Sequence, residues 1–230
     1  MLDKERIRDN IARIRAELAG RAELVAATKT IPAEIVNYAA ECGVRVIGEN
    51  RVDELLQKYD ALDRSRLQIH FIGHLQTNKV KYIVDKVDMI QSLDSISLAR
   101  EIERRAAAAG RVMPVLVEIN LGMEASKSGI PLEETEAFLE EIGIFAHLRV
   151  EGLMAIPPKV ENPAQNSELF RKIRKKFIDI SDKKVDNSNM RFLSIGMSGD
   201  YLYALEQGSN MVRIGNAIFG NRTPAADAKQ

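Results

Sequence analysis

Apolar residues recur along the chain in two alternating rhythms. In one they fall three or four positions apart: Ile7, Ile11, Ile14 and Leu18 predict a helix that Gly20 ends. In the other they run almost unbroken between turn signals, as strands buried on both faces do. Leu24-Val25-Ala26-Ala27 is the first such run; it continues through Thr28 to Lys29, and Pro32 closes it. Val44–Gly48, Ile69–Gly73, Asp88–Leu93, Val115–Asn120, Val150–Ile156, Phe192–Met197 and Met211–Gly215 follow. Helices are predicted over 32–40, 51–59, 95–109, 132–142, 167–180 and 201–207, with a shorter one reaching Ile83. Pro32 suits a first helical turn, and Gly110 stops the helix before it.

Eight strands alternating with helices over 230 residues predict an α/β fold, a single (β/α)8 TIM barrel, whose usual size is about 250 residues. An open doubly wound sheet is expected to show fewer strands. No interior stretch has a linker's composition, so one domain over 1–230 is expected. It would comprise an extra N-terminal helix over 1–20, a polar loop over 182–189 and a frayed tail over 223–230.

Thirty-three basic residues balance thirty-three acidic ones, which leaves no bulk electrostatic footprint for nucleic acid or an anionic membrane. The one cysteine, Cys42, excludes an intrachain disulfide and argues against a cysteine zinc cage. The charged, amphipathic N-terminus lacks the apolar core of a signal peptide. No window of about 18 apolar residues would cross a membrane. A cytoplasmic protein is expected.

In such barrels the chemistry gathers at the C-terminal ends of the strands. There the chain places Lys29, Glu49-Asn50, Gly73-His74, Asp94, Asn120, Met154, Met197-Ser198-Gly199 and Gly215-Asn216. A lysine ending an apolar strand is either a snorkelling surface group or, if burial makes its amine nucleophilic, a Schiff-base lysine. Ser198-Gly199-Asp200 opens a predicted helix, where free N–H groups and a hydroxyl suit a phosphate. Gly215-Asn216 brings further N–H groups, and barrels often bind phosphate after these last two strands. Arg213 shares its strand face with Gly215, either as a structural ion pair or as a donor to a bound ligand.

A Schiff-base lysine, a phosphate cradle and a buried arginine together suggest pyridoxal 5′-phosphate. The segments Val25–Thr30, Gly48-Glu49-Asn50, His70–Lys79, Ser92-Leu93-Asp94, Gly152-Leu153-Met154, Leu193–Asp200 and Val212–Gly215 resemble the pyridoxal phosphate homeostasis protein family from about residue 7 to 222. The resemblance implies a fold similar to the N-terminal domain of alanine racemase (fold type III). It implies that Lys29 holds the cofactor as an internal aldimine, with Ser198, Gly199, Gly215 and Asn216 on the phosphate. Arg213 would face the pyridine nitrogen, with Asn50, Met197 and His74 near the ring. Ile69, Arg51, Ile195 and Asn216 depart from the family's usual tryptophan, aromatic, methionine and threonine; Asn216 keeps its backbone N–H but not the hydroxyl contact of a threonine, while Arg51 would alter the mouth of the site.

An arginine beside the pyridine nitrogen keeps it unprotonated and weakens the ring as an electron sink. Racemisation needs acid–base groups on both faces of the substrate, and alanine racemases draw the second from a C-terminal domain not expected here. The resemblance therefore implies a monomeric, non-catalytic regulator in pyridoxal phosphate homeostasis. It would store and release the cofactor, exchanging it with free amino acids and amines and delivering it to apo-enzymes. Two alternatives stand beside it. One is an amino-acid racemase using Lys29 and a tyrosine such as Tyr201, and the other a cofactor-free aldolase acting on a sugar phosphate.

Overall fold

The computed structural model describes residues 3–122, 128–158, 160–183 and 187–220. The predicted tail over 223–230 lies outside them. The first helix, α1 (Lys4–Leu18), starts where the Asp3 carboxylate accepts from the backbone N–H groups of Glu5 and Arg6, and it buries Ile7, Ile11, Ile14 and Leu18. Then come β1 (Glu23–Ala27), α2 (Ala33–Glu41), β2 (Val46–Glu49), α3 (Val52–Lys58), β3 (Gln68–Phe71), α4 (Val80–Ile83), β4 (Met89–Leu93), α5 (Ile96–Ala108) and β5 (Met113–Asn120). The chain continues with β6 (Ile130–Pro131), α6 (Thr135–Ile142), β7 (Leu148–Ala155), α7 (Ser167–Lys183), β8 (Ser188–Met197), α8 (Tyr201–Glu206), β9 (Met211–Ile214) and α9 (Asn216–Phe219).

All pairings are parallel, in the order β4-β3-β2-β1-β9-β8-β7-β5, and a β4–β5 pairing closes the barrel. Each of the eight predicted strands is present. The two-residue β6 is an addition outside the barrel, seated on β5 opposite Ile119 and Asn120. The polar loop expected over 182–189 is shorter, because α7 continues to Lys183 and β8 already pairs at Ser188, opposite Val150. Backbone pairing needs no apolar side chain, and this outer half of β8 is partly exposed. Gly152 in β7 has φ +145, and a Cβ there would stand 1.8 Å from the Phe192 carbonyl oxygen. The bulge between Val150 and Gly152 therefore requires glycine.

Two apolar layers hold the barrel. A large cluster, including Ile47, Ile90, Val117, Leu153 and Ile214, joins the sheet to the surrounding helices. A smaller one, Val25, Val46, Ile72, Met89, Leu116, Met154 and Met211, fills the barrel's interior. Helix α1 ties the end of the chain to its start. Asn10 Nδ2 donates to the Ile218 carbonyl at 3.0 Å, and the Tyr201 hydroxyl donates to Glu17. No described helix is long and apolar enough to cross a membrane.

Candidate functional site

The C-terminal ends of β1, β8 and β9 enclose a cavity of about 380 Å³, lined among others by Lys29, Met197, Ser198, Gly199, Arg213, Gly215 and Asn216. Seven of the nine residues singled out in the sequence thus meet at one place. Pro157, Pro158 and Pro163 supply a rigid apolar wall. At the cavity's floor the Ser198 hydroxyl accepts from the backbone N–H groups of Gly215 (3.2 Å) and Ala217 (3.3 Å). Two N–H groups, one just past β9 and one from the first turn of α9, therefore converge on one oxygen. The helices that follow, α8 and α9, have only six and four residues. What converges here is therefore a pair of individual N–H groups. A Cβ at Gly199 would meet nothing within 4 Å, so that corner stays open.

Arg213 is 4 % exposed. Its Nη1 donates to the Ser194 carbonyl (2.7 Å) and hydroxyl (2.6 Å), and its Nη2 donates to the Ala155 carbonyl (2.8 Å). A guanidinium carries five N–H groups, so one on Nη2 and one on Nε remain beyond these three bonds, and Arg213 lines the cavity. Burial lowers its pKa to about 10, while Glu118 and Asp200 pull upward. It stays a cation at neutral pH. The ion pair with a neighbouring strand, one of the two readings of this residue, does not form among the described residues; carbonyls and a hydroxyl take its place.

Lys29 is exposed, as in the surface-group reading of the two and not the one in which burial activates its amine. The regular strand stops at Ala27, and the lysine stands on a turn at the cavity's edge. The turn itself is firmly held. Lys58 Nζ donates to the carbonyls of Thr28 (2.8 Å) and Ile31 (3.3 Å) and pairs with the fully buried Glu49 at 2.7 Å. The Thr28 hydroxyl donates to the same Glu49 carboxylate, and the Thr30 N–H to Glu54 at 2.9 Å. Thr30 takes a left-handed φ of +62, a conformation that these contacts must enforce. Arg51, expected to alter the mouth, lies 3.6 Å from the Glu54 carboxylate with its side chain largely exposed.

Asn50 and His74 line a second cavity, of about 320 Å³, with Glu118, Asn120 and Ser128. The turns after β2 and β3 touch there: a Cβ on Gly73 would stand 2.2 Å from the Asn50 carbonyl oxygen. His74 Nδ1 is 3.2 Å from Asp94 and 3.1 Å from the Ser128 hydroxyl. Glu118 is 6 % exposed, and burial together with Asp94 pushes its pKa up to about 7. Sequence reasoning missed Glu118, although a glutamate inside an apolar strand run was a signal. It also missed Asn166, whose Nδ2 donates to Asp200 at 3.2 Å. Asp200 in turn accepts from the Met197 N–H at 2.6 Å and so shapes the turn carrying Ser198. Tyr201, considered as a second acid–base group, points away to Glu17 on α1 and is not among the cavity's residues.

Residues 2–223 match the family described as alanine racemase, N-terminal domain. The chain is 44 % identical to the pyridoxal phosphate homeostasis protein of Aquifex aeolicus, over 90 % of this chain and 91 % of that one. It is 34 % identical to the protein of the same name from Escherichia coli, over 94 % and 97 % of the two chains. PipY of Synechococcus elongatus, solved with PLP bound, superposes with a TM-score of 0.86 at 30 % identity, covering 93 % of this chain and all of that one. Alanine racemase of Clostridium difficile, at 17 % identity and TM-score 0.75, shares the barrel over 59 % of its length. A barrel of this closure, with these motifs at its strand ends and this degree of likeness across the whole chain, belongs to the pyridoxal phosphate homeostasis protein family, within the alanine racemase N-terminal domain family.

Proposed function

We propose that this protein binds pyridoxal 5′-phosphate in the Lys29 cavity and acts in the cell's homeostasis of that cofactor, storing and releasing it. The observation that carries the reading is the meeting of three groups in one cavity: an accessible amine at Lys29, two N–H groups converging beside Ser198, and a buried cation at Arg213. These are what an aldehyde, a phosphate and a pyridine nitrogen each require. The family membership and the PLP-bound relative support it.

When bound, the cofactor supplies a reactive aldehyde and an electron-withdrawing ring. Lys29 provides the amine that captures that aldehyde, from a turn fixed by Lys58, Glu49 and Glu54. Ser198, Gly199, Gly215 and Asn216 would hold the phosphate, where the Gly215 and Ala217 N–H groups converge on the Ser198 hydroxyl. Arg213 keeps the ring nitrogen unprotonated, since a second positive charge facing it is repelled. Met197 would lie beside the ring, and Asn50 and His74 would border the side from which free amino acids and amines enter. Tyr201, the tyrosine that the racemase alternative would use, is engaged by Glu17. The carrier reading therefore stands ahead of a catalytic one, with apo-enzymes as recipients and the cytoplasm as the setting.

Binding is tested by adding the cofactor, recording the absorbance spectrum, reducing with borohydride and mapping the labelled peptide. The label should fall on Lys29, and Lys29→Ala should lose it while retaining some noncovalent cofactor. A label on another lysine would overturn the site.

A further inference from the structure

Four polar side chains, each nine-tenths or more buried, cross the apolar interior of the barrel: Arg213 on β9, Ser194 on β8, Gln91 on β4 and His70 on β3. Placing polar groups there is costly unless each is satisfied. Three hydrogen bonds join them, all running in one direction. Arg213 Nη1 lies 2.6 Å from Ser194 Oγ, to which it donates. Ser194 Oγ lies 2.7 Å from Gln91 Oε1 and can only donate to it. Gln91 Nε2 lies 2.8 Å from His70 Nδ1 and can only donate in turn. The Gln91 amide cannot be reversed without setting its oxygen toward the Met211 sulfur, which now takes a contact from Nε2 at 3.2 Å. His70 is thereby the neutral tautomer with its proton on Nε2, in keeping with burial lowering its pKa to about 4.

We infer that Gln91 and His70 are positioning residues that act through Ser194 to aim Arg213 at an acceptor in the pyridine ring. The inference rests on the cofactor reading above. With its proton committed to Gln91, the Ser194 hydroxyl is fixed as an acceptor toward Arg213. Together with the Ser194 and Ala155 carbonyls it holds the guanidinium in one plane, with an N–H on Nε and one on Nη2 outside these bonds. Because the far end of the chain is a neutral imidazole, no second charge competes with Arg213 from that side. The interior chain thus serves the electronic state of a ring some strands away, without either residue touching it.

Two readouts test this. In the cofactor-free protein, 15N-histidine NMR should show His70 with an unprotonated Nδ1 and a protonated Nε2, unchanged between about pH 5.5 and 8. Titration of His70 in that interval, or a proton on Nδ1, would overturn the chain itself. Next, the wild type, Gln91→Met and Ser194→Ala are loaded with pyridoxal phosphate labelled with 15N in the ring. Both variants, which cut the chain at different links, should move the ring-nitrogen resonance from its wild-type position toward that of a protonated pyridine. Wild-type resonances in both would overturn the inference while leaving the cofactor reading intact. Failure of the wild type to take up the cofactor would sink both, and the histidine spectrum would then still report whether the chain exists. Should Gln91→Met not fold, His70→Asn severs the last link with a smaller change in polarity, and the same shift is expected.

Discussion

At the scale of single residues, the hydroxyl of Ser198 is the contact most open to test. Ser198→Ala removes the oxygen on which the Gly215 and Ala217 N–H groups converge, and its loss should weaken cofactor retention by about 1–3 kcal/mol, the scale of a hydrogen bond to a charged group. Dialysis against free phosphate measures this, and retention equal to the wild type's would contradict the cradle. Two buried groups set opposite pH dependences of stability. The unfolded chain protonates His70 near pH 6.5 but the folded one only near 4, so stability falls as pH drops through that window. Folded Glu118 keeps its proton up to about 7 whereas the unfolded chain loses it near 4.5, so stability falls as pH rises between them. Each effect is worth about 3 kcal/mol, and they offset over the shared range. Glu118→Gln removes one of them, so its Tm should climb between about pH 4.5 and 6.5 more steeply than the wild type's. Equal slopes would count against the buried, protonated Glu118. Lys29, Ser198 and Arg213 were legible because each breaks an apolar or glycine-rich run at a strand end. Gln91 and His70 were not, since a polar residue inside a strand run does not disclose its partners on other strands.

At the scale of elements, the turn bearing Lys29 is braced from behind the sheet by the Glu49–Lys58 pair. Lys58→Met would leave the Glu49 carboxylate buried without its cation, a loss of about 3–5 kcal/mol. Glu49→Gln combined with Lys58→Met removes the stranded charge and should recover part of that loss. Thermal unfolding of the three proteins checks the order; a single variant as stable as the double would mean that the pair braces nothing. The rhythm of apolar residues located every barrel strand, because parallel strands are buried on both faces and leave an unbroken run. It placed their ends less well. The ladder at β8 begins at Ser188, in residues whose side chains reach solvent, and β6 is too short to have a pattern. The exposure of Lys29 was likewise hidden, for it depends on where β1 stops pairing and not on the composition of the run.

At the scale of the whole molecule, the barrel gathers an amine, a pair of converging N–H groups and a cation around one cavity, while α1 clasps the two short helices that follow β8 and β9 through Asn10 and Glu17. That arrangement suits a protein that holds a reactive aldehyde accessibly and gives it up again. The most direct measurement mixes the cofactor-loaded protein with an apo-enzyme that requires pyridoxal phosphate and follows the activity recovered. The same preparation is assayed for exchange of the α-hydrogen of several L-amino acids in deuterated water. The account predicts recovery of the enzyme and no exchange at ordinary enzymatic rates. Exchange at about 1–1000 turnovers per second, or a cofactor that is never released, would contradict it.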